Sequence, residues 1–309
     1  MTTTRRAACR SREWRPEWPV DLHASLGPLR HGPWDPAQRV TPDGCVWRAC
    51  RTPQGPGTLR VGVRRRDGVV DAEAWGPGGD WLLDGLPDLL GAGDDASGFV
   101  PGHPLLRDVL RRHAGWRVPR TGLVLESLLA AVLEQKVTSR EAHRSWRELL
   151  TRFGEPAPAA PDGMRVPPDA RAWATLPSWE WHRAGVGPQR ADTAVRAARV
   201  AGRLEETVRM SHAEAERRLR AVPGVGVWTA AEVRQRAHGD PDAVSVGDLH
   251  LPGQVGMALC GHPVDDAGML ALLAPYAGHR YRAVRLVELA GVPVPRRAPK
   301  HAVRDFRRV

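Results

Sequence analysis

Lysine is almost missing from this 309-residue chain: of its 45 basic side chains only Lys136 and Lys300 are lysines. Chemistry that runs through a lysine amine therefore has two candidates. Cysteine is nearly as scarce, with Cys9, Cys45, Cys50 and Cys260. None falls in a C-x-x-C pair, so the set fits neither a zinc site nor an iron–sulfur cluster, and reduced thiols are expected. No group of His and Asp residues has the spacing of metal ligands. There is no run of about 18 apolar residues, so no membrane span and no membrane partner are expected. The opening stretch MTTTRRAACRSREWR has no apolar core, which speaks against a signal peptide and for a cytoplasmic protein.

What the chain has is ample material for a core. It is 42% hydrophobic and 26% charged, a globular composition, and its length allows roughly two domains without disulfide or metal staples. The formal net charge of +10 suggests a nucleic-acid partner. Its distribution weakens that inference. Residues 1–20 hold five arginines against two glutamates, and residues 291–309 hold six basic side chains against one aspartate. The 270 residues between them hold 34 basic and 32 acidic side chains, so the excess sits mostly at the two ends.

Residues 1–17 read as a flexible tail. From 18 to 114 the text is strand-like and rich in turns. Leu59, Val61 and Val63 alternate with arginines, Asp67-Gly68 follows, and Val69, Val70, Ala72 and Ala74 resume, the pattern of a β-hairpin. A small β-rich domain with one or two helices is expected. From 115 to 290 the pattern is helical. Val124, Leu125, Leu128, Leu129, Val132 and Leu133 form one apolar stripe at helical spacing. Further helices are expected near 139–153, from 170, and at 188–201, 211–220, 229–238, 247–259, 265–273 and 281–289. Ser211 with Glu214 has the spacing of a capping box. The stretch 155–169, with five prolines, reads as a loop. Residues 291–309 read as a basic, Pro-rich, disordered tail.

Two segments can carry chemistry. In Leu219–Ala230, LRAVPGVGVWTA, one helix ends, Pro223-Gly224-Val225-Gly226 turns, and another helix opens at Val227 or Trp228. Two glycines let backbone approach a partner closely, and the free first-turn amides of the new helix suit a phosphate oxygen. A plain helical hairpin with a Pro-Gly turn reads equally well. Twenty residues after Trp228, Asp248 follows Gly247 among Val244, Val246, Leu249 and Leu251. Asp248 suits a helix N-cap, the commoner use of an aspartate in such a place, and a carboxylate held there among apolar neighbours could also serve an active site.

The two segments together, in this order and spacing, resemble the helix-hairpin-helix DNA glycosylase superfamily, and within it most nearly the 3-methyladenine DNA glycosylase II family. Gly115-Trp-Arg-Val-Pro-Arg120, Leu133-Glu-Gln-Lys-Val137, Arg190-Ala191 and Arg280-Tyr-Arg-Ala283 match similar segments there. The resemblance covers about 115–290. It implies an α+β protein in which a small β-rich, TATA-binding-protein-like N-terminal domain precedes an all-helical glycosylase domain. It implies a monomer acting on double-stranded DNA that contains damaged bases, in the cytoplasm at the nucleoid. The target base is flipped from the duplex, and Asp248 stabilises the developing sugar cation and orients or deprotonates water. Pro223, Gly224, Val225, Gly226, Val227 and Thr229 would hold a DNA phosphate. Trp228, Glu232, Leu249 and Glu288 would line the base pocket, and Gln135 and Lys136 would sit at the wedge that enters the gap left by flipping. No metal or organic cofactor is implied, though a monovalent cation on the hairpin carbonyls is seen in the family.

Trp228 stands where lyase-type relatives carry a Schiff-base lysine, which implies a monofunctional hydrolase. Glu232 and Glu288 stand where the best-known members are aromatic; each reads either as a carboxylate wall or as a surface glutamate. Lys136 reads either as a wedge or as a solvated lysine. The Trp179-Glu-Trp181-His182 cluster is expected to be core packing, and His182 and His250 structural. The expected activity is removal of damaged, alkylated purine bases in base excision repair. Two alternatives stay open: the same fold acting on hypoxanthine, an oxidised purine or a bulky lesion, and a non-catalytic protein that binds damaged DNA.

Overall fold

The computed structural model describes residues 9–294. The expected tails therefore lie largely outside the described residues, at 1–8 and 295–309, with one correction. Within 1–17, Arg10–Trp14 form strand β1, not a tail. It pairs antiparallel with β5 (Val69–Trp75), Arg10 opposite Ala74. Arg10 pairs with Asp80 at 2.7 Å and Arg12 donates to the Leu83 carbonyl at 2.8 Å, so the arginines that made this segment look like tail fasten an edge strand.

The sheet runs β1-β5-β4-β3-β2, all antiparallel, with β2 Gln38–Val40, β3 Val46–Thr52 and β4 Gly55–Arg64. The β4–β5 hairpin turns at Asp67-Gly68, with Gly68 at φ +63. One face, carrying Leu59, Val61, Val70 and Ala72, packs on short helices around Leu22–Leu29 and Leu82–Leu90. The Pro-rich stretch is not loop throughout: Glu155-Pro156 pairs with Arg165-Val166, and Met164 and Val166 pack beside Ala49 of β3.

The remainder is helical. Around Val124–Glu134 pack the helices Ser139–Phe153, Pro188–Arg199 and Val227–Val233. The apolar stripe is only part of its burial: Ser127, Ala130 and Ala131 are buried too, so neighbours cover nearly the whole cylinder. Leu123 offers no capping side chain. Glu205, from a different helix, accepts the N–H groups of Val124 and Leu125 at 2.9 and 2.8 Å.

A second helical core joins Leu251–Cys260, Asp266–Leu273 and Arg280–Ala290 to Pro104–Arg112 and Trp116. The helix Pro104–Arg112, expected with the β-rich part, therefore packs with the C-terminal helices. The side chains of Arg282 and Asp94 form a fully buried ion pair that ties the last helix to the loop preceding Pro104–Arg112. The structure is thus α+β, with a small N-terminal antiparallel sheet and a mostly helical remainder.

After Val233 the chain widens into one π-helical turn, Arg234–His238, ended by Gly239 at φ +68. His238 sits buried there against the Thr207 hydroxyl, 2.9 Å from Nε2. Burial pushes its pKa down from 6.5 to about 4. Between those values the unfolded chain binds a proton that the folded protein does not. Stability should therefore fall as the pH drops from 7 to 4, by up to about 3 kcal/mol from this group. Chemical denaturation of His238→Gln across this range should show a shallower fall than the wild type; parallel curves would exclude His238 as the source.

Candidate active site

The hairpin is built by local capping and two buried valines. Ser211 and Glu214 make the reciprocal capping box that opens the helix His212–Arg220. Val222 and Val225 plug the turn into the core, while Pro223, Gly224, Gly226 and Val227 stay exposed. Gly224 has φ +98, and a Cβ there would lie 2.0 Å from Thr193 Oγ1. Backbone conformation and close approach both demand glycine. Gly226 caps the helix Val227–Val233 in an extended conformation with no side-chain acceptor.

Gln135 ends the helix Val124–Glu134 and turns towards this hairpin. Its side-chain amide donates to the Gly224 carbonyl at 3.0 Å and to Thr229 Oγ1 at 2.8 Å. Expected at the wedge, Gln135 thus has its side chain committed to the hairpin. Lys136 follows, exposed, at φ +54, a conformation that costs a side-chain-bearing residue about 1–2 kcal/mol. As for a cation, the Val222 carbonyl accepts from Val225 N–H and that of Gly224 from Gln135. Each of these oxygens thus already has one N–H donor, and no step of the chemistry passes through a cation.

Asp248 caps a helix start with one oxygen and meets the hairpin helix with the other. Oδ1 accepts the N–H groups of His250 and Leu251 at 2.8 and 2.9 Å, capping the helix Leu251–Cys260, which starts later than 247 because residues 245–248 form a turn. Oδ2 accepts the indole N–H of Trp228 at 3.0 Å. The three donors are neutral, so the carboxylate is fixed in place by partners that carry no charge. Trp228 and Asp248 are both half-buried, and Leu249 beside them is 76% exposed.

Glu232 follows Trp228 by one helical turn and is buried, not a surface glutamate. Its carboxylate accepts from Arg236 Nη1 at 2.6 Å and from the Ser245 hydroxyl. Burial pushes its pKa up, opposed chiefly by the Arg236 charge. Ser245 and Arg236 carry no signature in the sequence. Glu288, by contrast, is exposed and pairs with Arg285. Of the tryptophan cluster, Trp181 is core and stacks on Trp173 at 5.5 Å, whereas Trp179 and His182 are exposed because they lie on the outer face of a short helix. His250 is exposed; its backbone N–H, not its ring, meets Asp248. Among the described residues no cluster of three His, Cys, Asp or Glu side chains is placed to hold a metal ion, and no helix is long and apolar enough to cross a membrane.

The fold is that of the helix-hairpin-helix DNA glycosylases. A 3-methyladenine DNA glycosylase from Archaeoglobus fulgidus superposes with a TM-score of 0.76 over 91% of this chain and 98% of its own, at 18% identity. An 8-oxoguanine glycosylase/lyase from Clostridium acetobutylicum gives 0.69 over 92% and 98%, at 13% identity. In sequence, the chain is 31% identical over 157 residues to a probable bifunctional transcriptional activator/DNA repair enzyme AlkA of Mycobacterium tuberculosis. That match takes in 48% of this chain and only 30% of the longer relative. No family model matches.

Gly224→Ala should lower the thermal midpoint by several degrees, a loss of about 1–3 kcal/mol. Calorimetry checks this; an unchanged midpoint would mean that the turn does not depend on the Thr193 contact.

Proposed function

We propose that the chain is a monofunctional DNA glycosylase that hydrolyses the N-glycosidic bond of damaged, alkylated purine bases, the first step of base excision repair. One observation carries the reading: the Asp248 carboxylate, held by Trp228 and two helix amides, is joined through Trp228 to the first turn of the helix that the hairpin opens, whose start has no capping side chain.

The chemistry follows from that arrangement. The hairpin turn Pro223–Val227 receives a backbone phosphate through main-chain amides, which reads no base sequence. A base flipped out of the stack lies against Trp228, beside Asp248. As the bond from C1′ to the purine nitrogen breaks, its electron pair neutralises the cationic base, and positive charge grows on the sugar. Asp248 stabilises that charge, and water adds its oxygen to C1′ while its proton passes to the carboxylate. An alkylated purine already carries positive charge, so departure needs little acid assistance. The partner is double-stranded DNA bearing the lesion, the protein acts as a monomer at the nucleoid, and the N-terminal sheet is of TATA-binding-protein type.

A second reading is excision of an oxidised purine, favoured by the fold match to the 8-oxoguanine glycosylase/lyase. Release assays on methylated and oxidised duplexes separate the two. On methylated DNA, wild type should release modified base and Asp248→Asn should be slower by about a hundredfold or more. No release by wild type, or equal release by the variant, would sink the proposal.

The absence of lyase chemistry has its own test. Trp228 stands where a Schiff-base lysine would be required, and Lys136 lies on the exposed turn. Borohydride added during turnover should leave no covalent protein–DNA adduct; a trapped adduct would contradict the monofunctional reading.

A further inference from the structure

Residues 245–248 form a turn clamped at both ends to one face of the second hairpin helix. The Asp248 N–H donates to the Ser245 carbonyl at 3.3 Å, and Gly247, third in the turn, has φ +88. At the far end Trp228 holds Asp248 Oδ2. At the near end the buried Ser245 hydroxyl donates to Glu232 and accepts from Gln235 Nε2 at 2.9 Å, and Gln235 also donates to the Ala243 carbonyl at 2.9 Å. Glu232 is itself steadied by Arg236, whose Nε reaches the Pro28 carbonyl at 3.3 Å.

Between the clamps Val246 packs against the second helical core, and Gly247 is held little. Gly247 has nothing within 4 Å of where a Cβ would lie, and its N–H meets only the Asp266 carboxylate, at 3.1 Å. The position of the Asp248 carboxylate is therefore set by the Trp228 bond, by the His250 and Leu251 amides that follow it, and on the side that precedes it by the Ser245 anchor three residues earlier.

We infer that Ser245 and Glu232 are positioning residues for Asp248: Glu232 does not contact the base but grips the turn through the Ser245 hydroxyl and so fixes where the carboxylate stands. The inference rests on the glycosylase reading above. It assigns Glu232 a role that neither a pocket wall nor a surface glutamate provides. Without the hydroxyl, Glu232 loses a partner in a buried setting, the near clamp opens, and the turn that carries Asp248 shifts against Trp228. Small displacements of a reacting group carry large rate penalties.

The test compares wild type, Ser245→Ala and Ser245→Thr. Single-turnover release from methylated duplex should fall about tenfold to a hundredfold in the alanine variant and recover in threonine, which keeps the hydroxyl. Affinity for a duplex carrying a tetrahydrofuran abasic analogue should stay within twofold. Nitrogen-15 spectra supply a readout independent of turnover: the Trp228 indole resonance, assigned through Trp228→Phe, should shift in Ser245→Ala and return in Ser245→Thr. An unchanged release rate in Ser245→Ala, or an unmoved indole resonance, overturns the inference. If wild type releases no base, the glycosylase reading fails, and the indole resonance alone decides whether Ser245 positions Asp248.

Discussion

Arg236 carries its charge inside the protein, and three parts of the chain meet on it. Its guanidinium donates to the Glu232 carboxylate and to the Glu232 backbone carbonyl, and it reaches the carbonyl of Pro28 in the N-terminal segment. Through Glu232 it supports Ser245, and through Ser245 the turn that ends at Asp248. Breaking a buried pair by removing one partner costs about 3–5 kcal/mol, because the other charge stays buried and uncompensated. Burial drives the Glu232 carboxyl towards its neutral form while the guanidinium opposes this; Arg236 keeps its own charge beside two carboxylates, Glu232 and Glu134. The π-helical turn begins two residues before Arg236, so the helix is locally unwound where this side chain has to serve several partners at once.

Features governed by local spacing were legible in the sequence. The Pro-Gly turn, the Ser211–Glu214 cap, the Asp67-Gly68 hairpin and the apolar residues of Val124–Leu133 each depend on neighbours within a few positions. Asp248 was legible as a helix cap, the role its hydrogen bonds to His250 and Leu251 N–H fulfil, and its place as a catalytic carboxylate belongs to the proposed function. What was not legible depends on partners far along the chain. Glu205 caps a helix some 80 residues away, Gln135 reaches Gly224, and Arg10 and Arg12 fasten an edge strand that composition alone assigns to a tail. Glu232 shows the same limit: its residue type favours the surface, and only the meeting with Ser245 and Arg236 explains its burial.

The arginine-rich composition also acquires a structural meaning. Arg48 is buried in the sheet against Glu126 of the central helix, Arg282 against Asp94, and Arg236 against Glu232. Arg48 joins the sheet to the central helix, Arg282 joins the last helix to the loop that carries Asp94, and Arg236 holds Glu232 one turn away. Each is matched by a carboxylate. A guanidinium, with five donors in a planar fork, serves such multi-partner joints better than an ammonium, and lysine's scarcity is in keeping with that use.

Gln135 has a wider meaning for how such a protein would search DNA. One amide nitrogen joins the turn of the hairpin to the end of the central helix, just before the exposed Lys136. Two surface features that belong to separate helices are thereby held at one fixed spacing, like the jaws of a set gauge. If both meet the duplex, as the proposed function requires, neither adapts alone to the DNA. The duplex has to deform to match the gauge, and it does so most cheaply where damage has already loosened the stack. Selectivity would then begin before any base reaches Asp248, in the mechanical compliance of the DNA itself.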